Sequence, residues 1–272
     1  MRIAIVHEIV QEFSPPARAL MEILRLRPKD FESQNIASWN VDVDTDCRIR
    51  EGRDTFGNLT QTIDSEGATT RIVIVARGEV DTFDTAGVLR GGEAERFPID
   101  VFLRDTDLTT ADTAIRDFAT KTVKPAKTIL DRPHYLMRAL NEAMEFAPDA
   151  EPVAAAAVFK RKKGSARDLA HVFITAARTV GIPARCVSGY LAPEKPGEIA
   201  HPHAWAEAYV EGLGWIGFDP SICLCMHDGH VRVASALDYL GCAPVRMPPM
   251  TFGTRSEAVS IKPAQAMGQR QT

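Results

Sequence analysis

Apolar and polar positions alternate in short stretches from Met1 to about Gly91. Trp39, Val41 and Val43 interleave with Asn40, Asp42 and Asp44, the two-residue period of a half-buried strand. Ile72 to Ala76 is a β-branched apolar run, as a fully buried strand requires. Ile23 to Arg27 alternates as well, and Pro28 ends it. Asp54 to Asn58 reads as a turn in which Gly57 or Asn58 takes a positive φ. Strands with turns between them and no strong helical period predict an antiparallel β-sandwich-like unit. Residues 92 to about 133 read as a connector. Gly91-Gly92 and Pro98 break the chain, and Asp105 to Thr113 carries residues suited to a helix start.

The period then changes. Tyr135, Leu136, Ala139, Leu140, Ala143 and Met144 follow helical spacing over 134–146. Apolar residues at 166, 169, 170, 173, 176, 177 and 180 form a broad buried stripe on a second helix, capped by Ser165 with Asp168 in its first turn and stopped by Gly181 and Pro183. Its alanines imply close packing on a sheet. Strands follow at Arg185–Ala192, His203–Val210 and Trp215–Asp219, the last two joined as a hairpin through Glu211 to Gly214. A tight hairpin there sets Asp219 opposite residue 206 or 207. Val231–Ala234 and Ala243–Val245 add further strands. The expected fold is α+β: a β-rich unit over 1–110, a helix-on-antiparallel-sheet core over 125–250, and a C-terminal strand or tail over 251–272. Met267 to Thr272 is expected to fray.

The 272 residues are 45% hydrophobic and 25% charged, enough to bury a core. The net charge of -4 argues against a general nucleic-acid binder. No apolar run approaches the ~18 residues of a membrane span, and the N-terminus has no signal-peptide core, so the cytoplasm is the expected location and no membrane partner is expected. Five cysteines, an odd number, do not resemble a secreted disulfide framework.

Candidate chemistry gathers in three places: Gly164-Ser-Ala-Arg-Asp168-Leu-Ala-His171, His203-Ala-Trp205-Ala-Glu207-Ala-Tyr209, and Gly214-Trp-Ile-Gly-Phe-Asp219-Pro220. With Gly181-Ile-Pro-Ala-Arg185, Val187-Ser-Gly-Tyr-Leu191, Val231-Arg-Val-Ala, Asp238-Tyr239 and Ala243-Pro244-Val245-Arg246, the stretch from about 130 to 250 resembles the transglutaminase-like superfamily, whose core is papain-like. The first half is similar to the β-rich N-terminal domain of bacterial members. The resemblance implies thiol acyl transfer on peptide or protein amides, with no cofactor. A cysteine at the helix N-terminus would attack, His203 would be its base and Asp219 would orient His203, with Trp205, Ser165 and Asp168 along the cleft. A helix N-terminus and a nearby imidazolium both favour a thiolate.

The chain departs from that pattern at one decisive position. Two residues before Asp168, where the family carries its nucleophile, stands Ala166. A methyl group cannot attack a carbonyl, so thiol catalysis is not expected at this site. A replaced cysteine and a natural pseudoenzyme that binds peptide or protein both remain open. Ser165 is better suited to capping than to attack. Cys223 lies four residues after Asp219 and could approach His203, and Cys186 suits a core strand. Cys47 and Cys242 have no supporting neighbours. Cys223, Cys225, His227 and His230 offer four zinc-type ligands, but at a spacing that matches no familiar zinc module, and an ordinary loop is the simpler reading. His171 reads as a packing or hydrogen-bonding residue, Glu207 as facing solvent or a salt bridge, and Lys160 to Lys163 as a solvated loop. The oligomeric state is not readable.

Overall fold

The computed structural model describes residues 1–92, 95–147, 153–193, 200–246 and 253–263. The N-terminal half is built on two very long strands, β1 (Arg2–Leu24) and β4 (Leu59–Thr82), paired antiparallel along most of their length. Ile3, Ile5, His7, Ile9, Gln11 and Phe13 of β1 alternate inward. Between β1 and β4 lie β2 (Gln34–Val43) and β3 (Arg48–Arg53), which pair with opposite halves of β4.

Two separate packed sheets are not what forms. One six-stranded sheet bends where the register shifts between Glu12 and Ala17, around Pro15 and Pro16, which lack the N–H a ladder needs. Gly67, at φ +114°, lies in the matching stretch of β4. The bent halves close on Ile9, Phe13, Leu20, Leu24, Ile63, Ile72 and Ile74, so the result is sandwich-like. Strand structure ends at Leu24, short of the alternation that runs on to Arg27.

The expected connector contains a 3-10 turn (Ile99–Leu103) and a helix, α1 (Thr113–Val123), with Asp112 accepting the Ile115 N–H at its start. Then come α2 (Asp131–Ala143), β5 (Glu145–Phe146), α3 (Ala155–Arg161), β6 (Lys163–Gly164) and α4 (Ala166–Thr179). Lys160 to Lys163 is therefore no loop. Lys160 and Arg161 fill the last turn of α3, where the helix dipole favours cations, and Lys163 begins β6. The remaining elements are β7 (Ala184–Leu191), β8 (Pro202–Val210), β9 (Gly214–Asp219), β10 (Leu224–Cys225), β11 (His230–Ala236), α5 (Tyr239–Cys242), β12 (Val245–Arg246) and β13 (Thr254–Pro263).

The second sheet is antiparallel in the order β10-β9-β8-β7-β11. α4 lies on it, and its buried residues share one core with Ala206, Ala208, Ile216 and Phe218. Ile3, Ile5 and Val80 of the first sheet join the same core. β12 and β13 return to pair with β1, so the chain's last described strand completes the first sheet. The expected fraying of Met267 to Thr272 lies outside the described residues. The fold is α+β with antiparallel sheets, as the period change predicts.

Gly189 shows how tightly the second sheet is built. It pairs with His203 on one side and Arg232 on the other. A Cβ there would stand 2.0 Å from the Val231 carbonyl oxygen and 3.0 Å from Trp205 Cη2. The oxygen is backbone and cannot swing away, so Gly189→Ala should cost about 1–3 kcal/mol or more. A lowered urea midpoint would show it; an unchanged midpoint would contradict this packing.

Candidate functional site

The start of α4 is fixed locally. Ser165 Oγ accepts the Asp168 N–H, and Asp168 Oδ2 accepts the Ser165 N–H, a capping box worth about 1 kcal/mol. Asp168 is wholly buried, with Arg161 3.3 Å from Oδ2. Ala166 is the first residue of the helix and is 8% exposed. Ser165 and Asp168 thus hold the helix N-terminus in shape around position 166.

His203 and Asp219 meet across the β8–β9 hairpin. Val210 pairs with Gly214, leaving a three-residue loop with Gly212 at φ +81° and Gly214 at φ +88°. Ala206 pairs with Phe218, and one step further along this register Asp219 falls opposite Trp205, not opposite 206 or 207. His203 is two residues away on the same face of β8, a diagonal neighbour within side-chain reach. His203 Nε2 lies 2.5 Å from Asp219 Oδ2, and no bulge is needed. Trp205 is fully buried and stacks beside the His203 ring, 6.1 Å between centroids. Its indole walls the histidine from behind.

A third side chain joins them that the sequence did not single out for this role. His230 Nε2 lies 3.3 Å from the same Asp219 Oδ2, and its ring meets Trp205 edge-on at 5.1 Å. The other oxygen, Oδ1, accepts from the Ser221 N–H at 3.0 Å and the Ser221 hydroxyl at 2.6 Å. Burial by itself would raise the Asp219 carboxyl. His203 and His230 outweigh it and hold the group well below the usual carboxylate range. Burial pushes the His230 imidazole down from its ordinary value. Its Nδ1 faces the His227 N–H at 3.3 Å, so Nδ1 accepts and the proton sits on Nε2, aimed at Asp219. An ionised Asp219 accepting from His203 Nε2 leaves His203 Nδ1 as the basic nitrogen.

The ligand atoms of His203, Asp219 and His230 lie within 4.8 Å of one another. Metal bonds of about 2.0–2.1 Å set two ligands of one ion about 3 Å apart or more. The 2.5 Å contact is a hydrogen bond, and the His230 tautomer donates from the nitrogen a metal would need. The cluster is built as a hydrogen-bonded relay.

The other sequence candidates disperse. Cys223, Cys225, His227 and His230 do not converge: His230 turns to Asp219, Cys225 to His134, and His227 packs edge-on against His230 at 4.6 Å. All five cysteines are free, with Cys186 and Cys242 buried. Glu207 takes the salt-bridge alternative and does not face solvent: it is wholly buried between Arg185 and Arg232. Two surface cavities, about 440 Å³ beside Phe13 and Arg71 and about 330 Å³ beside Phe31 and Trp39, are lined by no residue of the candidate site.

His171 is wholly buried and accepts the Tyr239 N–H at Nε2, 3.0 Å away. Burial lowers its imidazole to about 3, and burial lowers that of His7 to about 4. In the unfolded chain both protonate near 6.5. Above that pH neither state binds the proton and nothing is lost. Below it the unfolded chain is favoured, until the folded groups titrate in turn. By pH 5 each histidine should remove about 2 kcal/mol. The urea midpoint should fall between pH 7 and pH 5; a flat profile would contradict the burial of these rings.

Residues 116–220 match the family model of the transglutaminase-like superfamily, and residues 3–81 match that of the bacterial transglutaminase-like N-terminal region. An uncharacterized protein of Mycobacterium leprae is 22% identical over 262 residues, covering 90% of this chain and 92% of its own. A crystal structure of a candidate cysteine protease from Cytophaga hutchinsonii shares the fold, with a TM-score of 0.78 at 21% identity over 98% of this chain and 91% of that one. His203 and Asp219 fall inside the matched core and His230 beyond it. No helix among the described residues is long and apolar enough to cross a membrane. The chain belongs to the transglutaminase-like superfamily, with a bacterial transglutaminase-like region ahead of its core.

Proposed function

We propose that this protein is a thiol acyl-transfer scaffold for peptide or protein amides that lacks its nucleophile. It retains the base and its orienting carboxylate, and as written it should not cleave the amide. One observation carries the reading: the His203–Asp219 contact stands assembled at 2.5 Å in a chain whose nucleophile position is Ala166. A fold kept only for binding has no chemical need of a buried, ionised aspartate aimed at a histidine.

In this reading His203 Nδ1 is the base, Asp219 holds its tautomer and stabilises its charged form, and His230 and Ser221 fix the carboxylate. A cysteine at 166 would sit on the helix N-terminus, where the dipole favours a thiolate. It would attack the amide carbonyl, release the amine with a proton from His203, and leave a thioester for water or an amine to resolve. Ala166 removes the first step and leaves the rest.

The test is to present peptide amides and activated esters to an Ala166→Cys variant and locate any thioester by mass spectrometry. The reading expects acylation at residue 166 that disappears with His203→Ala. No acylation at 166 with any acyl donor would favour the second reading, a binding module whose His203–Asp219 pair is structural.

A further inference from the structure

Cys225 and His134 take no part in the relay around Asp219, yet they form a contact of their own. We propose that Cys225 and His134 are a second thiol–imidazole pair, one that accepts acyl groups from activated esters and thioesters. Cys225 lies in β10, paired with Phe218 of β9, and its Sγ is 3.5 Å from His134 Nε2. His134 Nδ1 is 2.9 Å from the Leu130 carbonyl oxygen. A carbonyl only accepts, so Nδ1 carries the proton and Nε2 is bare and faces the thiol.

The ring is held in place. It packs edge-on against Phe218 at 5.1 Å, and Asn141 further along α2 donates to the Pro220 carbonyl at 3.0 Å. Cys225 and His134 are both partly exposed, whereas Cys186 and Cys242 are buried. Among the described residues Cys225 is the one cysteine hydrogen-bonded to an imidazole. Burial raises its thiol and nearby Cys223 adds to this, while the charge of Arg138, one turn beyond His134, favours the thiolate. The resting contact is therefore a thiol donating to His134 Nε2.

In the reaction, sulfur attacks the acyl carbonyl carbon as His134 Nε2 takes the thiol proton. The tetrahedral adduct collapses, the bond to the leaving oxygen or sulfur breaks, and that atom receives the proton from His134. Cys225 is left as a thioester. Water then attacks it, releasing the carboxylic acid and restoring the thiol. No step uses position 166, so the proposal stands or falls apart from the reading of the family site.

The probe is p-nitrophenyl acetate on the unaltered chain, with acetylated residues located by peptide mass spectrometry. Cys225 should be acetylated on the order of 100-fold faster than Cys47, the size of a typical general-base contribution. His134→Ala should bring Cys225 to the Cys47 rate, with the urea midpoint read alongside. If that variant is destabilised, His134→Gln replaces it. Cys225→Ser should lose the label and keep the fold. Equal acetylation of Cys225 and Cys47, or a Cys225 rate unchanged in a folded His134 variant, would overturn the proposal.

Discussion

Glu207→Ala should destabilise the protein by about 3–5 kcal/mol, measured as a lowered urea midpoint. Glu207 is wholly buried, with Arg185 Nε 2.6 Å from Oε2 and Arg232 Nε 2.7 Å from Oε1. Burial alone would raise its carboxyl, but the two guanidinium groups override this and hold it at about 2. Arg185 is held further by Glu95 at 2.6 Å and by stacking over Trp215 at 3.9 Å. Without Glu207 two buried cations face each other, and among the described residues only Arg185 keeps a carboxylate. Removing Glu207 and Arg232 together leaves Arg185 with Glu95 and no unpaired charge, so Glu207→Met with Arg232→Met should cost less than Glu207→Ala. The native carboxyl lies below its unfolded value near 4.5, so its stabilisation is complete above pH 4.5 and is lost as pH falls toward 2. A Glu207→Ala midpoint within error of the parent would mean the pair of arginines does not need it.

Ala166→Cys should have the largest effect on reactivity. Removing a triad nucleophile costs about 10⁶-fold in a well-studied serine protease, so restoring one can recover a large part of that factor where the remaining groups are in place. Here the Ser165–Asp168 capping box shapes the helix N-terminus, and Asp219 accepts from His203, His230 and Ser221 together. Loss of His230 should loosen Oδ2 and slow the restored chemistry without removing the base, a smaller loss than that of His203.

The elements nearest the site were the most legible in the sequence. The alanine stripe of α4 and its Ser165 cap are local signals, and they matched the helix to within a residue. The hairpin followed from Gly212 and Gly214, although only the three-residue loop explains why His203 reaches Asp219 diagonally. His230 was legible only as one of four possible zinc ligands. It stands on β11, three strands from β9, and meets Asp219 by a long-range contact that no local pattern encodes. The Cys225–His134 contact spans 91 residues and was equally hidden. In the first half the sequence reads as short strands with turns between them, whereas cross-strand pairing carries β1 and β4 as long strands through Pro15-Pro16 and Gly67. Of α1 only the start is legible, in the capping residues of Asp105 to Thr113; its body is not, because Ile115 and Ala119 are its only buried positions, too few for a clear period.

The central claim is that the base pair around His203 is poised for a nucleophile the chain lacks. The most direct measurement treats the Ala166→Cys variant with limiting iodoacetamide near pH 6.5 and compares labelling at residue 166 with labelling at Cys47. Fast labelling at 166 is expected, and it should be lost when His203 is also changed to alanine. Labelling at 166 no faster than at Cys47 would contradict that claim.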